Sequence, residues 1–224
     1  QMCIRDSTRL ALLSFCNSQI AERMLTVLAP TLNYEVGQIS QLPIIDQQCN
    51  DSLLSTAKQL VQEFRNDWNT YETSWDFKFN PLVKHAHLGG SLADALERWW
   101  QDSLSAAHEA QELETENNRY WAEVYGLRDE VPIEVPLSRV SLTSNPYFRY
   151  VPNKGATRTD EEYRRLFTAD AVRDLISYGV GCLFGRYSLD PPGLVLADQG
   201  DTIQDFLDMV PRPSFTPDKD GVIP

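Results

Sequence analysis

Residues 175–200 read LISYGVGCLFGRYSLDPPGLVLADQG, and the fold turns on how their glycines are understood. Gly179, Gly181 and Gly185 stand close together, as they would in a nucleotide-binding loop. Such a loop, however, follows a strand and opens a helix whose N-terminus receives the phosphate. Here the order is reversed. Val172, Leu175, Ile176, Val180, Leu183 and Phe184 fall at helical spacing before and through the glycines, and Asp190-Pro191-Pro192-Gly193 then stops any helix. The stretch therefore reads as a glycine-containing core helix. Gly181 and Gly185, four apart, put two bare backbone patches on one helix face. A neighbouring element can then approach closely, at a cost of about 1 kcal/mol of helix propensity per glycine.

Upstream of this helix lie a polar loop at residues 152–159, a turn at Asn145-Pro146 and an expected strand at 140–143; downstream, an amphipathic element is expected at 203–210. The run Val131-Pro132-Ile133-Glu134-Val135-Pro136 is extended, proline-punctuated linker or edge-strand material and marks a boundary. Before it stand two long helical patterns. From Asp51, the residues Leu53, Ala57, Leu60, Phe64, Trp68 and Tyr71 keep a four-three spacing with no Gly or Pro. An aromatic turn at Trp75-Asp76-Phe77 and Asn80-Pro81-Leu82 follows, because Pro81 forces Asn80 out of helical geometry. His85, His87, Gly89 and Gly90 then read as a loop. The second helix runs from a Ser91 cap to Tyr125 and stops at Gly126. Its register, Leu92, Leu96, Trp99, Ser103, Ala106, Ala110, Leu113, Asn117, Tyr120 and Val124, covers about five heptads, roughly 50 Å. The matching registers predict an antiparallel pair that buries Leu60, Phe64, Leu96, Trp99 and Leu113. Residues 8–48 open with a helical pattern, Leu10, Leu13, Ile20, Met24, Leu25 and Leu28, broken at Pro30. Leu32, Tyr34 and Val36 then alternate, and Ile39, Leu42 and Ile44 around Pro43 read as a short edge strand. The chain has no internal repeat. The expected class is mainly α with minor β (α+β), built on a long antiparallel helical hairpin.

A chain of 224 residues with 42% hydrophobic content and five Trp can bury a real core. No run approaches the eighteen or so apolar residues of a membrane span. Cys3, Cys16, Cys49 and Cys182 are far apart, form no CxxC pair and lack nearby His, so neither a zinc site nor a disulfide framework is signalled and a reducing cytoplasm is expected. The net charge of −12 argues against a chain that grips nucleic acid over its whole surface. The charge is uneven. Between Asp51 and Gly126 there are six basic and thirteen acidic residues, net −7, whereas Arg139 to Arg186 holds eight basic and five acidic, net +3. Only the second window suits a phosphate backbone, and within it Arg149, Lys154 and Arg158, in or beside the polar loop, are the candidate DNA contacts. Arg186 is a weaker candidate, since it closes the glycine-containing helix and is placed to cap it or to pair with Asp190.

Signals for chemistry are sparse. The His85/His87 pair has no carboxylate or Cys nearby to complete a metal site. The acidic face Glu109, Glu112, Glu114, Glu116 and Glu123 reads as a solvated surface. The chain's His residues, His85, His87 and His108, lie near no nucleophile signature. Asn145-Pro146-Tyr147-Phe148 is similar to the Asn-Pro-Pro-Tyr signature of amino-methyltransferases, whose Asn and Pro carbonyl bind the target amine and whose ring stacks on the flipped base. Tyr147 replaces the second proline, and no cofactor loop precedes it at the needed distance, so a turn is the better reading.

Several landmarks together carry a family resemblance: LLSFCNSQIAERMLTVLAPTLNYEVGQISQLPI, SWDFKFNPL, the helix end ENNRYWAEVYGLRDEV, SNPYFRY, and above all LISYGVGCLFGRYSLDPPGLVLADQG with FTPDKDGVIP. With these the chain resembles the later part of the PglX family, the adenine-specific DNA methyltransferases of BREX phage-defence systems, and more loosely the type II restriction-modification methyltransferases. The resemblance covers nearly all residues after the first seven. It implies N6-adenine methylation of DNA from S-adenosylmethionine by a parent enzyme, with DNA and other BREX proteins as partners and no membrane. It also implies that the family's cofactor loop and Asn-Pro-Pro-Tyr motif lie upstream, so this segment is expected to hold no catalytic, cofactor-binding or metal residue and to be inactive alone.

On this resemblance residues 1–7 are set aside as similar to a translated adaptor scar, 8–48 are the end of a target-recognition region, 49–126 a helical spacer, and 127–224 the start of a truncated C-terminal α+β region. Two other readings stay open, part of a fused type II restriction-modification enzyme and a non-catalytic helical protein-interaction module. The neighbouring sequence discriminates between them.

Overall fold

The computed structural model describes residues 6–29, 33–45, 50–153 and 155–218. Its helices are α1 (Asp6–Cys16), α2 (Gln19–Leu28), α3 (Val36–Ile39), α4 (Asp51–Trp68), α5 (Pro81–Ala86), α6 (Leu92–Tyr125), α7 (Pro146–Arg149), α8 (Asp160–Leu183) and α9 (Ile203–Met209), with one 3-10 turn at Leu137–Arg139. The mainly-α expectation holds. No strand forms among the described residues. Two compact units, each discontinuous in sequence, comprise residues 1–64 with 106–140 and residues 65–105 with 141–224.

In the first unit the helical pattern of residues 8–28 breaks into two helices, because Ser18 turns the chain. Its hydroxyl donates to the Phe15 carbonyl (2.7 Å) and accepts the Ala21 N–H (3.3 Å), capping α2. Asp6 and Ser7, set aside from the sequence reading, form the first turn of α1. Phe15, Ile20, Ala21, Leu25, Leu53, Trp121 and Ala122 make the core, and Leu42 joins it from the turn after α3, where an edge strand was expected. A polar strut fixes α1 on α6: the Ser14 hydroxyl donates to Asn117 Oδ1 and accepts the Trp121 Nε1–H (2.8 Å), while Asn117 Nδ2 donates to the Ser14 carbonyl (2.9 Å). Leu53 of α4 shares the cluster of Trp121, and the charge of Glu109 on α6 acts on Glu63 of α4.

The proline-punctuated run 131–136 is neither free linker nor strand. Gln111, Thr115 and Asn118 lie on one face of α6 at spacings of four and three. Gln111 Nε2 donates to the Val135 carbonyl (2.6 Å), Thr115 Oγ1 accepts the Val135 N–H (3.3 Å), and Asn118 Nδ2 donates to the Ile133 carbonyl (3.2 Å). Helix side chains thus satisfy backbone groups that a sheet would otherwise have to pair.

In the second unit α6 begins at the expected cap, with Ser91 N–H donating to Asp94 Oδ2 (2.7 Å) and Asp94 N–H to Ser91 Oγ (3.3 Å). At its other end, in the first unit, Gly126 (φ +67°) closes it as anticipated. Pro81 stands at the start of α5, capped by Asn80, so His85 and His87 sit in and just after a helix instead of in a loop. The strand expected at 140–143 is absent because its polar backbone has another partner: Asp67 of α4 accepts the N–H groups of Thr143 (2.6 Å) and Ser144 (2.9 Å), while Val140 and Leu142 are fully buried. Leu96 and Trp99 are half-buried against Leu82, Ala95, Ala171 and Leu175; Leu60, Phe64 and Leu113, half-buried too, belong to the first unit.

Helix α8 carries a capping box, Thr159 with Glu162. It ends at Leu183, and Gly185 (φ +73°) lies beyond it as the turn that terminates it, with the Arg186 N–H returning to the Gly181 carbonyl (2.9 Å). The expectation that Gly181 and Gly185 share one helix face is therefore corrected. Both nonetheless allow close approach. A Cβ would lie 2.5 Å from Tyr187 at Gly181 and 2.9 Å from Leu196 at Gly185.

Candidate nucleic-acid interface

The basic window 139–186 spreads over α7, α8 and their flanking loops, and packing consumes much of its charge. Arg149, in the last turn of α7, is bound to Asp170 (3.1 Å), and its guanidinium lies 5.7 Å and 5.8 Å from the ring centroids of Tyr71 and Tyr150. Burial pushes the Tyr150 phenol well up, as does its hydrogen bond to Asp170. Arg149 is thus a cross-link between α7, α8 and the Tyr71 turn as well as a charge. Arg173 pairs with the same Asp170, Arg164 with Glu97, and Arg139, through Nη2 alone, with both oxygens of Glu22 (2.8 Å each).

Arg158 precedes the α8 cap on an exposed segment and makes no ion pair among the described residues. Lys154 lies outside the described residues. Arg186 is exposed just past the end of α8, with its guanidinium 5.5 Å from the Tyr187 ring centroid. Asp190, its anticipated partner, instead accepts the Ser214 N–H (2.8 Å) and the Ser214 hydroxyl, which hold its carboxyl below the ordinary range. The structure does not bring Arg158 and Arg186 together. Arg158 and Arg186 flank opposite ends of the 24-residue α8, about 36 Å of helix.

The motif that most resembled a catalytic loop is used structurally. Asn145 and Pro146 are completely buried. The Asn145 side chain accepts the Tyr147 N–H (3.1 Å) as the cap of α7, and Pro146 takes the first helical position. His85 packs beside Trp99, with Nε2 3.4 Å from Asp102 Oδ2 and Nδ1 buried without a partner among the described residues; burial draws its pKa down despite the carboxylate. No group of three or more His, Cys, Asp or Glu gathers in a metal-binding arrangement among the described residues, where Cys16 and Cys182 are free thiols. No helix among those residues is long and apolar enough to cross a membrane. Sequence reasoning missed the double role of Asp170 and the Asp67 anchor, since both act on partners distant in the chain.

No family model matches the chain. It is 31% identical over 218 residues to the adenine-specific methyltransferase BrxX of Escherichia coli O9:H4 (strain HS), an alignment that covers 95% of this chain and 17% of that protein. It is also 30% identical over 220 residues to the adenine-specific methyltransferase PglX of Lacticaseibacillus casei (strain Zhang), covering 97% of this chain and 16% of that protein. The chain therefore resembles PglX-type adenine-specific methyltransferases along nearly its whole length, and it spans about one sixth of theirs.

Proposed function

We propose that this chain is a segment of a PglX-family DNA adenine-N6 methyltransferase of a BREX phage-defence system, cytoplasmic and using S-adenosylmethionine in the whole protein. One observation carries the reading: two proteins named as adenine-specific methyltransferases match it at 31% and 30% identity over 95% and 97% of its length. Within that enzyme the segment contributes architecture and DNA contact, and methyl transfer is performed elsewhere. The buried, capping Asn145 supports this division, because the one sequence feature similar to a target-amine motif is occupied in holding α7. The assignment of residues 8–48 to the end of a target-recognition region, 49–126 to a helical spacer and 127–224 to the start of a C-terminal region belongs to the same proposal. So does the antiparallel pairing of α4 with α6. Leu53 beside Trp121 and Glu63 beside Glu109 run in that sense within the first unit.

For DNA contact the candidates are exposed Arg158 before α8 and, from the sequence of the same loop, Lys154, with Arg186 as a separate outlying contact; Arg149 acts mainly by holding α7 on α8. Phosphate contacts carry affinity and no sequence information, so removing one weakens binding to every sequence and flattens the salt dependence by roughly one unit. The test is a salt titration of DNA binding by the full-length enzyme carrying Lys154→Ala and Arg158→Ala, with Arg149→Ala added separately. The slope is expected to fall for the first pair. An unchanged slope moves the DNA surface away from this window.

A further inference from the structure

The exposed face of α8 is apolar where a solvated helix is polar. Ile176, Val180, Leu183 and Phe184 are 61%, 43%, 44% and 43% exposed, and offsets of four, seven and eight residues place them on one face. The other side of the helix is fully used: Tyr178 and Cys182 pack with Phe77 and Tyr187, and Ala171 with Leu82 and Ala95. Three turns before the stripe the same face carries Arg165, whose charge acts on Glu162.

The loop that presents Trp75 is seated beside this stripe. Ser177 Oγ, at the edge of the stripe, donates to Glu72 Oε2 (3.4 Å). Trp75 is 93% exposed, yet its turn is tied: Ser74 Oγ donates to Asn69 Oδ1 (2.7 Å), the Asp76 N–H donates to Ser74 Oγ (3.1 Å), and Phe77 is anchored between Tyr178 and Tyr187. Single exposed apolar side chains are ordinary, whereas a stripe over successive turns with an indole held out beside it marks an interaction surface.

The chemistry of the patch selects the class of occupant. Nucleic acid needs clustered unpaired cations, and within the stripe Arg173 is paired with Asp170 while Glu72 and Asp76 flank Trp75; Arg186 lies past its end, against Tyr187. A lipid surface is entered by a helix free to sink its apolar face, and α8 is packed in protein on its other side. A protein surface fits, and one is at hand. The relatives that match this chain are about six times its length, and a surface tethered in the same polypeptide is met at high effective concentration.

We propose that the Ile176, Val180, Leu183 and Phe184 face of α8, with Trp75 at its rim, docks another region of the same longer polypeptide. That region presents apolar side chains to the stripe. The proposal rests on the chain being a segment of a longer methyltransferase and is independent of which residues touch DNA.

The test places the photo-cross-linking residue p-benzoylphenylalanine at Val180 of the full-length methyltransferase and maps the products by mass spectrometry. Cross-links within one polypeptide to peptides outside these 224 residues are expected, with their loss when Ile176→Glu and Leu183→Glu are added and their retention with Arg158→Glu. Circular dichroism of each variant verifies that the fold persists. Cross-links confined to these 224 residues, between two copies or to DNA, or no cross-link at all, overturn the docking proposal. Adenine methylation assayed on the same preparations separates the two readings: an active enzyme without the cross-link refutes only the docking, and a cross-linked protein that never methylates adenine refutes the functional reading.

Discussion

The ring of Tyr187 occupies the space that a side chain on residue 181 would need: a Cβ on Gly181 would lie 2.5 Å from Tyr187 Cδ2 and 2.9 Å from Cε2. Overpacking of this kind costs about 1–3 kcal/mol, and alanine returns about 1 kcal/mol of helix propensity. Gly181→Ala is therefore expected to lower stability by up to about 2 kcal/mol, and Tyr187→Leu in the same chain to relieve the clash. Gly179, with open space at its Cβ position, gives the opposite sign; Gly179→Ala should stabilise α8 by up to about 1 kcal/mol. Denaturant unfolding of the three variants checks both statements.

Asn145→Ala separates a cap from a catalytic group. Loss of the side-chain acceptor at the start of α7 should cost about 1 kcal/mol of stability. In the full-length enzyme the methylation rate per folded molecule should not change. A collapse of that rate with stability intact would restore the residue to the chemistry.

Glu114 gives unit 1 a pH dependence. Burial pushes its carboxyl up to about 7 against the opposing charge of Arg139. A folded-state pKa above the unfolded one means that the folded chain holds the proton more tightly. Its favourable contribution is complete below the unfolded value, near 4.5, and is lost as pH rises through about 7. Glu114→Gln should therefore raise stability at pH 8 by about 1–2 kcal/mol, after allowance for solvent screening, and change it little at pH 4.5. Thermal unfolding at the two pH values measures the difference.

His85 acts in the reverse direction. Its folded pKa lies below the ordinary histidine value because burial outweighs Asp102, so the unfolded chain takes up the proton first. The stability that depends on neutral His85 is full above pH 6.5 and falls on acidification through the window beneath it. His85→Leu should flatten the loss of melting temperature between pH 7 and pH 5. A variant with the same acid limb as the parent would assign that limb to another group.

The boundaries of α6 were legible because both are local: a Ser91 cap with Asp94 three residues on, and a glycine that adopts positive φ at 126. The break inside residues 8–28 was not, because Ser18 caps α2 in the middle of an otherwise continuous apolar period. The strand expected at 140–143 failed for a non-local reason. Val140 and Leu142 alternate as a strand does, but Asp67, more than seventy residues earlier, takes the neighbouring N–H groups. The same limit applies to the basic window. Its net charge could be counted, but the pairing of Arg149 and Arg173 with Asp170 and of Arg164 with Glu97 follows from tertiary packing, and it leaves fewer unpaired cations than the sequence suggests.

The central claim is that this segment belongs to an adenine methyltransferase without performing the transfer. It is tested by following labelled methyl from S-adenosylmethionine into DNA, with the 224-residue chain and the full-length protein assayed in parallel. The account predicts N6-methyladenine from the full-length protein and no incorporation from the isolated chain. Turnover by the isolated chain, or a full-length protein that places no methyl group on adenine, would contradict it.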